Sequence, residues 1–279
     1  MAILWLVLVP IPVADSAEDG DFVAHLMSLT QQKAAKSRGK EPAFPRIGAH
    51  LLGRHAQFAD SATLRTLGRY SDLTIINIYP GWEQRYRTKV SEVVRAIRAE
   101  NPAAMIGTYH NISELPETRN FQPLVDALYD GKTVGPADTR DWWARTPNGE
   151  RVSDWLKTYN TNITKFTAPD SRGRRYPEVY ADFYDAELDS KADFDLYYID
   201  IFGPTFRNSK TDFNRDGSAD AAADPAVAAW KREAMRGFVE HVRRKLFPER
   251  KFMGNATTWF DVRHFNSTGD FWTGLSMNM

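Results

Sequence analysis

The most informative residue of the sequence is a carboxylate inside an apolar run. Asp200 follows Leu196-Tyr197-Tyr198-Ile199 and precedes Ile201-Phe202. A charge placed there must be paired, hydrogen-bonded or set at an opening, because burying it alone is too costly. At the C-terminal end of a strand it would point into the mouth of a barrel. A carboxylate facing a sugar cleft serves as nucleophile or as acid/base. The plain alternative is an Asp that caps a neighbouring loop. Other polar and aromatic residues also stand just beyond apolar runs: His50, Tyr79 with Trp82, His110 with Asn111, Trp142 with Trp143, and Asn255. These are the substrate-binding candidates, with Asp154 beside them. Flat aromatic faces stack on sugar rings, so Trp82, Trp142, Trp143 and Trp155 suit subsites, although core tryptophans fit the same pattern.

A second pattern points to a cation. Asp212, Asn214, Asp216 and Asp220 occupy positions 1, 3, 5 and 9 of a loop with Gly217 at position 6. That spacing wraps oxygen ligands around Ca²⁺, with the glycine making the sharp turn. The bidentate Glu of position 12 is replaced by Ala223, with Asp224 one place later. An ion there would be structural, stiffening the loop over the cleft. Otherwise the stretch is a hydrophilic loop. No His and carboxylate cluster at ligand spacing suggests catalytic zinc. No Gly-x-Ser-x-Gly elbow suggests an esterase. The Asn-x-Ser/Thr sequons at Asn111, Asn162, Asn255 and Asn266 are read as chance.

Positioning these residues requires a scaffold, and the chain alternates strand-like and helix-like segments from Phe44. Leu73 to Tyr79 and Phe194 to Phe202 are continuously apolar, as strands buried on both faces are. Ile47 to Leu52, Ala104 to Tyr109 and Lys251 to Thr257 read as further strands. Ser61 to Tyr70, Lys89 to Glu100, Phe121 to Tyr129 and Tyr176 to Leu188 read as helices. Asp224-Pro225 caps and opens the clearest helix, with Val227, Trp230, Ala234, Phe238, Val242 and Leu246 on one stripe. Repeated strand–helix units imply a parallel α/β sheet, either doubly wound or a (β/α)8 barrel. No glycine-rich phosphate loop follows the first strand, and polar residues gather at strand C-terminal ends. The expected fold is therefore the TIM-barrel type.

The ordered segments "FPRIGAHLLG", "TIINIYPGW", "MIGTYHNISEL", "DWWARTPNGERVSDW", "YYIDIFGP", "DPAVAAWKREAMRGFVEHVRRKL" and "FMGNATTW" carry a resemblance. From Phe44 onward the chain resembles glycoside-hydrolase barrels distantly similar to the endo-polygalactosaminidases. The resemblance implies a glycosidase with Asp200 as a strand-end carboxylate and Asn255 beside the sugar. It also implies a second carboxylate, usually a Glu, after "MGN". Here no Glu follows Glu249, and the late acids are Asp261 and Asp270. Asp261 is the substitute candidate, with Asp154 and Asp185 behind it. About six strands precede the end where eight close a barrel, so the chain reads as truncated at its C-terminus. The two functional readings are a polysaccharide hydrolase and a non-catalytic or degenerate carbohydrate-binding barrel lacking the second carboxylate.

Composition trims the alternatives. In 279 residues, 36 basic and 36 acidic side chains balance to zero formal charge. A neutral chain without a basic block suits neither nucleic acid nor an anionic membrane. Cysteine is absent, which removes thiol and Cys-ligated metal chemistry. The apolar run Ala2 to Val13 is too short to span a membrane. With small residues at Ala14-Asp15-Ser16 it reads as a signal peptide over 1–17, implying a secreted or periplasmic protein. Residues 18–43 read as linker or helix, and 44–279 as the barrel domain.

Overall fold

The computed structural model describes residues 48–51, 55–116, 118–128, 141–155, 157–203, 205–246, 250–255 and 271–272. The expected leader and linker, and Asp261, lie outside them. The strands are β1 (Gly48–His50), β2 (Leu73–Ile76), β3 (Met105–His110), β4 (Glu114–Pro116), β5 (Thr158–Asn160), β6 (Leu196–Ile199), β7 (Lys251–Gly254) and β8 (Phe271–Trp272). The α-helices are α1 (Ser61–Tyr70), α2 (Trp82–Tyr86), α3 (Val90–Glu100), α4 (Gln122–Leu128), α5 (Tyr176–Glu187) and α6 (Pro225–His241).

Local chemistry sets their ends. Asp60 precedes α1 in extended backbone and accepts the Thr63 N–H. Asp224 caps α6 by accepting the Ala226 N–H, with Pro225 at the first helical position. These side chains satisfy amide donors that have no partner inside the helix. Proline fits there because its missing N–H is not needed.

Six strands, in the order β1-β2-β3-β6-β7-β8, form one sheet in which every neighbouring pair is parallel. β4 and β5 form a separate antiparallel ribbon. The sheet order never turns back along the chain, whereas a doubly wound sheet reverses at its switch point. Side chains alternate between the two faces of a strand. Ile76, Ile106, Tyr197, Ile199 and Phe252 join the large core that includes Val93, Val94 and Ile97 of α3 and Phe238 of α6. Leu73, Ile75, Leu196, Tyr198 and Met253 form a second cluster, with Met105 and Tyr109 against it and, among the described residues, no helical residue in it. Gly107 lies on this second face, where a Cβ would press on Ile75 and Leu196 at 2.9 and 3.0 Å.

The fold is therefore mixed α/β with a parallel sheet. Among the described residues no pairing joins β1 to β8, so closure into a barrel is not observed. Among them, too, no helix is long and apolar enough to cross a membrane.

Candidate active site

The alternation that fills the second cluster also aims the strand ends. Counting by twos from Leu196 and Tyr198 brings Asp200 onto that face, and counting from Met253 brings Asn255. Asp200 accepts from the Tyr109 hydroxyl (2.6 Å at Oδ2), from Asn255 Nδ2 (2.7 Å at Oδ1) and from the Ile201 backbone N–H (2.9 Å at Oδ1). A carboxylate that only accepts is thus surrounded by groups that donate. Burial first, and then the Asp200 charge, push the Tyr109 phenol well above its usual range. It therefore stays a donor. His50 packs its ring against Tyr109 and Tyr198, with centroids at 5.6 and 5.1 Å. Burial lowers its pKa to about 4 despite the opposing pull of Asp200, so the imidazole is neutral near neutral pH. His50 Nε2 and Asn255 Oδ1 are buried and have no hydrogen-bond partner among the described residues.

The chain beyond Asp200 makes a tight turn. Ile201 sits at φ 53°, in the left-handed region that branched residues avoid. The Phe202 N–H donates to Asn255 O at 2.9 Å and the Asn255 N–H to Ile199 O at 2.8 Å. The Phe202 ring lies over Gly254, where any Cβ would run into it. The "MGN" glycine is thus what lets the turn carrying Asp200 lie flat on β7.

A second carboxylate comes from the ribbon. After β3 the chain leaves the sheet, and the ribbon is closed at its neck by Thr161 N–H donating to Ser113 O at 3.0 Å and Thr161 Oγ1 to Ile112 O at 2.7 Å. Glu114, the first residue of β4, is 8% exposed. Burial raises its carboxyl above the usual range; Arg207 opposes this, and the charges of Asp154 and Asp200 add to it. Asn111 Nδ2 reaches Glu114 Oε2 at 3.4 Å. Glu114 lines a pocket together with Asp154, Arg207, Asn208, Phe213 and Lys231. Asp154 is held by Asn160 Nδ2 at 2.7 Å and Asn208 Nδ2 at 2.9 Å. Two carboxyl groups in unlike settings, one buried with its proton favoured and one ringed by donors, can divide acid and nucleophile or base work.

The other expected residues fall elsewhere. His110 is one place out of phase with Tyr109 and faces the helices. It is fully buried, stacked on Tyr197 at 4.2 Å and bonded to Thr108 Oγ1 at 2.8 Å. Asn111 reaches Glu114 and so orients a carboxylate. Trp82, Trp142 and Trp143 are buried, and the first two donate their indole N–H to the carbonyls of His55 and Ala168. These three are core tryptophans in this structure, with no face open to a sugar. Tyr79 meets His55 edge-on at 4.7 Å. Asp185 lies on α5. Trp155 alone, among described large apolar residues, is exposed.

In the loop after β6, Asp212 accepts from the Asp216 and Gly217 N–H groups, and Asp216 from Ser218. Asp220 accepts from Phe213 at 2.6 Å, and Asn214 Nδ2 donates to Asp216 at 2.9 Å. Burial, with the charges of Asp212 and Asp216 adding to it, raises the Asp220 carboxyl. Among the described residues no three His, Asp or Glu side chains converge as a metal cluster. The loop does supply Phe213, stacked on Phe206 at 3.9 Å, to the pocket wall.

Glu114, Tyr109, Arg207 and Lys231 are absent from the sequence-based candidates. Glu114 follows Ile112-Ser113 and precedes Leu115, four residues past the end of β3. Lys231 falls at i+4 from Val227 and i−4 from Met235, on the buried side of α6.

No family model matches the chain, and no curated protein matches it. Among solved structures it is similar to the GH36 alpha-galactosidase AgaA A355E D478A from Geobacillus stearothermophilus in complex with stachyose. That match has 10% identity and a TM-score of 0.49, covering 82% of this chain and 30% of that one. It is similar to the galactosidase domain of alpha-galactosidase-sucrose kinase AgaSK, at 10% identity and a TM-score of 0.44, over 72% of this chain and 24% of that one. It is also similar to the glycoside hydrolase domain of PelA from Pseudomonas aeruginosa, at 14% identity and a TM-score of 0.39, over 69% of this chain and 55% of that one. The chain thus spans between a quarter and just over half of the length of these proteins.

Proposed function

We propose that the protein is a glycoside hydrolase acting on a polysaccharide, with Asp200 as nucleophile or base and Glu114 as acid. The observation that carries this reading is the pair itself. Asp200 sits among three donors, and Glu114 is buried near enough to feel its charge. Glu114 lines the pocket together with Ile201, the residue after Asp200, and Asp200 itself stands at the C-terminal end of a parallel strand, the usual seat of chemistry in such sheets. A protonated Glu114 would donate to the leaving oxygen while Asp200 attacks the anomeric carbon or activates water. Neutral His50 and the free acceptor of Asn255 would meet sugar hydroxyls. The sheet order and the helices on one face support curling towards a (β/α)8 barrel. The apolar run 2–13 supports export to where polysaccharides are met. Glu114 supplies the second carboxylate whose absence would favour the non-catalytic alternative.

The test is reducing-end release from a panel of neutral, acidic and amino-sugar polysaccharides by wild type, with Asp200→Asn as the control that ties release to this site. No release from any of them, or equal release by the variant, overturns the assignment.

Calcium is a separate proposal for the loop of Asp212, Asn214, Asp216 and Asp220. Burial raises the Asp220 carboxyl, with the charges of Asp212 and Asp216 adding to it, and a divalent cation would favour its ionised form. Ca²⁺ is expected to raise the melting temperature and a chelator to lower it. An unchanged melting temperature in both would remove the ion.

A further inference from the structure

Lys231 is the one described lysine buried in the core, 1% exposed on α6. Its ammonium donates to Ile201 O at 2.9 Å and to Thr205 O at 2.7 Å. The Phe206 ring centroid is 5.6 Å away. No carboxylate lies within ion-pair distance among the described residues. The charged groups that face it are Arg207, Asp200 and Glu114. Burying a cation without a counter-ion is costly, and an apolar side chain would serve the helix better. The two carbonyls it holds bracket the turn after Asp200. The first belongs to Ile201, whose backbone is left-handed and whose N–H donates to Asp200.

We propose that Lys231 is a positioning residue for Asp200: by bridging Ile201 O and Thr205 O it holds the strained strand-end turn and so keeps the Ile201 N–H on the carboxylate. The inference rests on the hydrolase reading for its functional meaning and on the turn geometry for its content. It explains why a helix otherwise packed by Val227, Met235 and Phe238 keeps a lysine on its buried stripe. It also ties the site to pH. Burial lowers the Lys231 pKa from 10.5 to about 7, with Arg207 adding to the shift and Asp200 and Glu114 opposing it. Above that pH the amine is neutral in the folded protein and still charged in the unfolded chain. The bridge then weakens, even as the burial penalty on the charge is relieved.

The experiment follows the Ile201 amide by hydrogen exchange in the full chain, with the Ile75 and Thr108 amides as internal references. Lys231→Met, which cannot donate, is expected to speed Ile201 exchange about tenfold over the references, the worth of roughly one hydrogen bond. Lys231→Gln keeps a donor and is expected to restore much of the protection. Ile201 exchange that changes only in step with Ile75 and Thr108, or Met and Gln variants that behave alike, overturns the proposal. If Lys231→Met does not fold, the wild type decides. From about pH 6 to about pH 9 its Ile201 amide must lose protection relative to the references as the amine discharges; parallel behaviour overturns the bridge. On any polysaccharide the wild type cleaves, kcat is expected to fall with KM held. If none is cleaved, the hydrolase reading fails while the exchange result still judges Lys231.

Discussion

Glu114→Gln is expected to lower kcat by about a hundredfold to ten-thousandfold, the span removed with a general acid. The amide keeps the shape and cannot give a proton. The loss should be smallest on substrates with activated leaving groups, which need no acid, and an equal loss on all substrates would take Glu114 out of the acid role. In wild type, burial holds the Glu114 proton above the ordinary carboxylate range, so the alkaline limb of kcat/KM should lie above that range and vanish in the variant. The sign for stability is opposite. A carboxyl whose folded pKa is raised contributes stability that is full below its unfolded pKa and is lost as pH rises through the folded value. Glu114→Gln should therefore be more stable than wild type at neutral pH and converge with it in acid. Denaturation midpoints across pH measure this directly, and a less stable variant at neutral pH would contradict the burial argument.

Gly254→Ala is the second large expectation. The added methyl has no room under the Phe202 ring. Overpacking of this kind costs about 1–3 kcal/mol, and here the ring cannot shift alone. Its backbone N–H is bonded to Asn255 O, and the Asn255 side chain holds Asp200. Activity should fall further than stability. Phe202→Leu in the same molecule should recover part of both, because the smaller side chain gives way. A double-mutant cycle reads that coupling. Additive effects would show that the two residues do not meet.

The scaffold was legible because its cause is local. Continuous apolar runs closed by Pro80-Gly81 or Gly203-Pro204 mark β2 and β6, and Asp224-Pro225 marks the start of α6. Asp200 stood out as a charge among apolar residues, and Asn255 and His50 as strand-end polar groups. What failed was phase and partnership. His110 and Tyr109 are adjacent, and only the pairing of β3 with its neighbours decides which one faces Asp200. The tryptophans were ambiguous because a buried ring and a sugar platform share one residue type. Glu114 was missed because a second carboxylate was sought after β7, in chain order, whereas the ribbon brings this one in from beside β3, near enough to feel the Asp200 charge. Lys231 was hidden by the stripe it belongs to. The periodicity was read through Trp230 and Ala234, one place off.

The neck of the ribbon has a consequence for engineering. Ser113 and Thr161 are joined backbone to backbone, so the two ends of the Glu114 to Asn160 stretch meet, while Phe121, Leu124, Trp142 and Trp143 within it pack into the main core. Segments whose ends already meet can be exchanged with little entropic penalty. Asp200 and its donor Asn255 belong to the body, Tyr109 likewise, while Glu114 and Asp154 travel with the cassette. A library of transplanted cassettes would thus vary Glu114 and Asp154 together, leaving Asp200 and its donors constant. On the proposed hydrolase reading, substrate preference would be varied without touching the sheet.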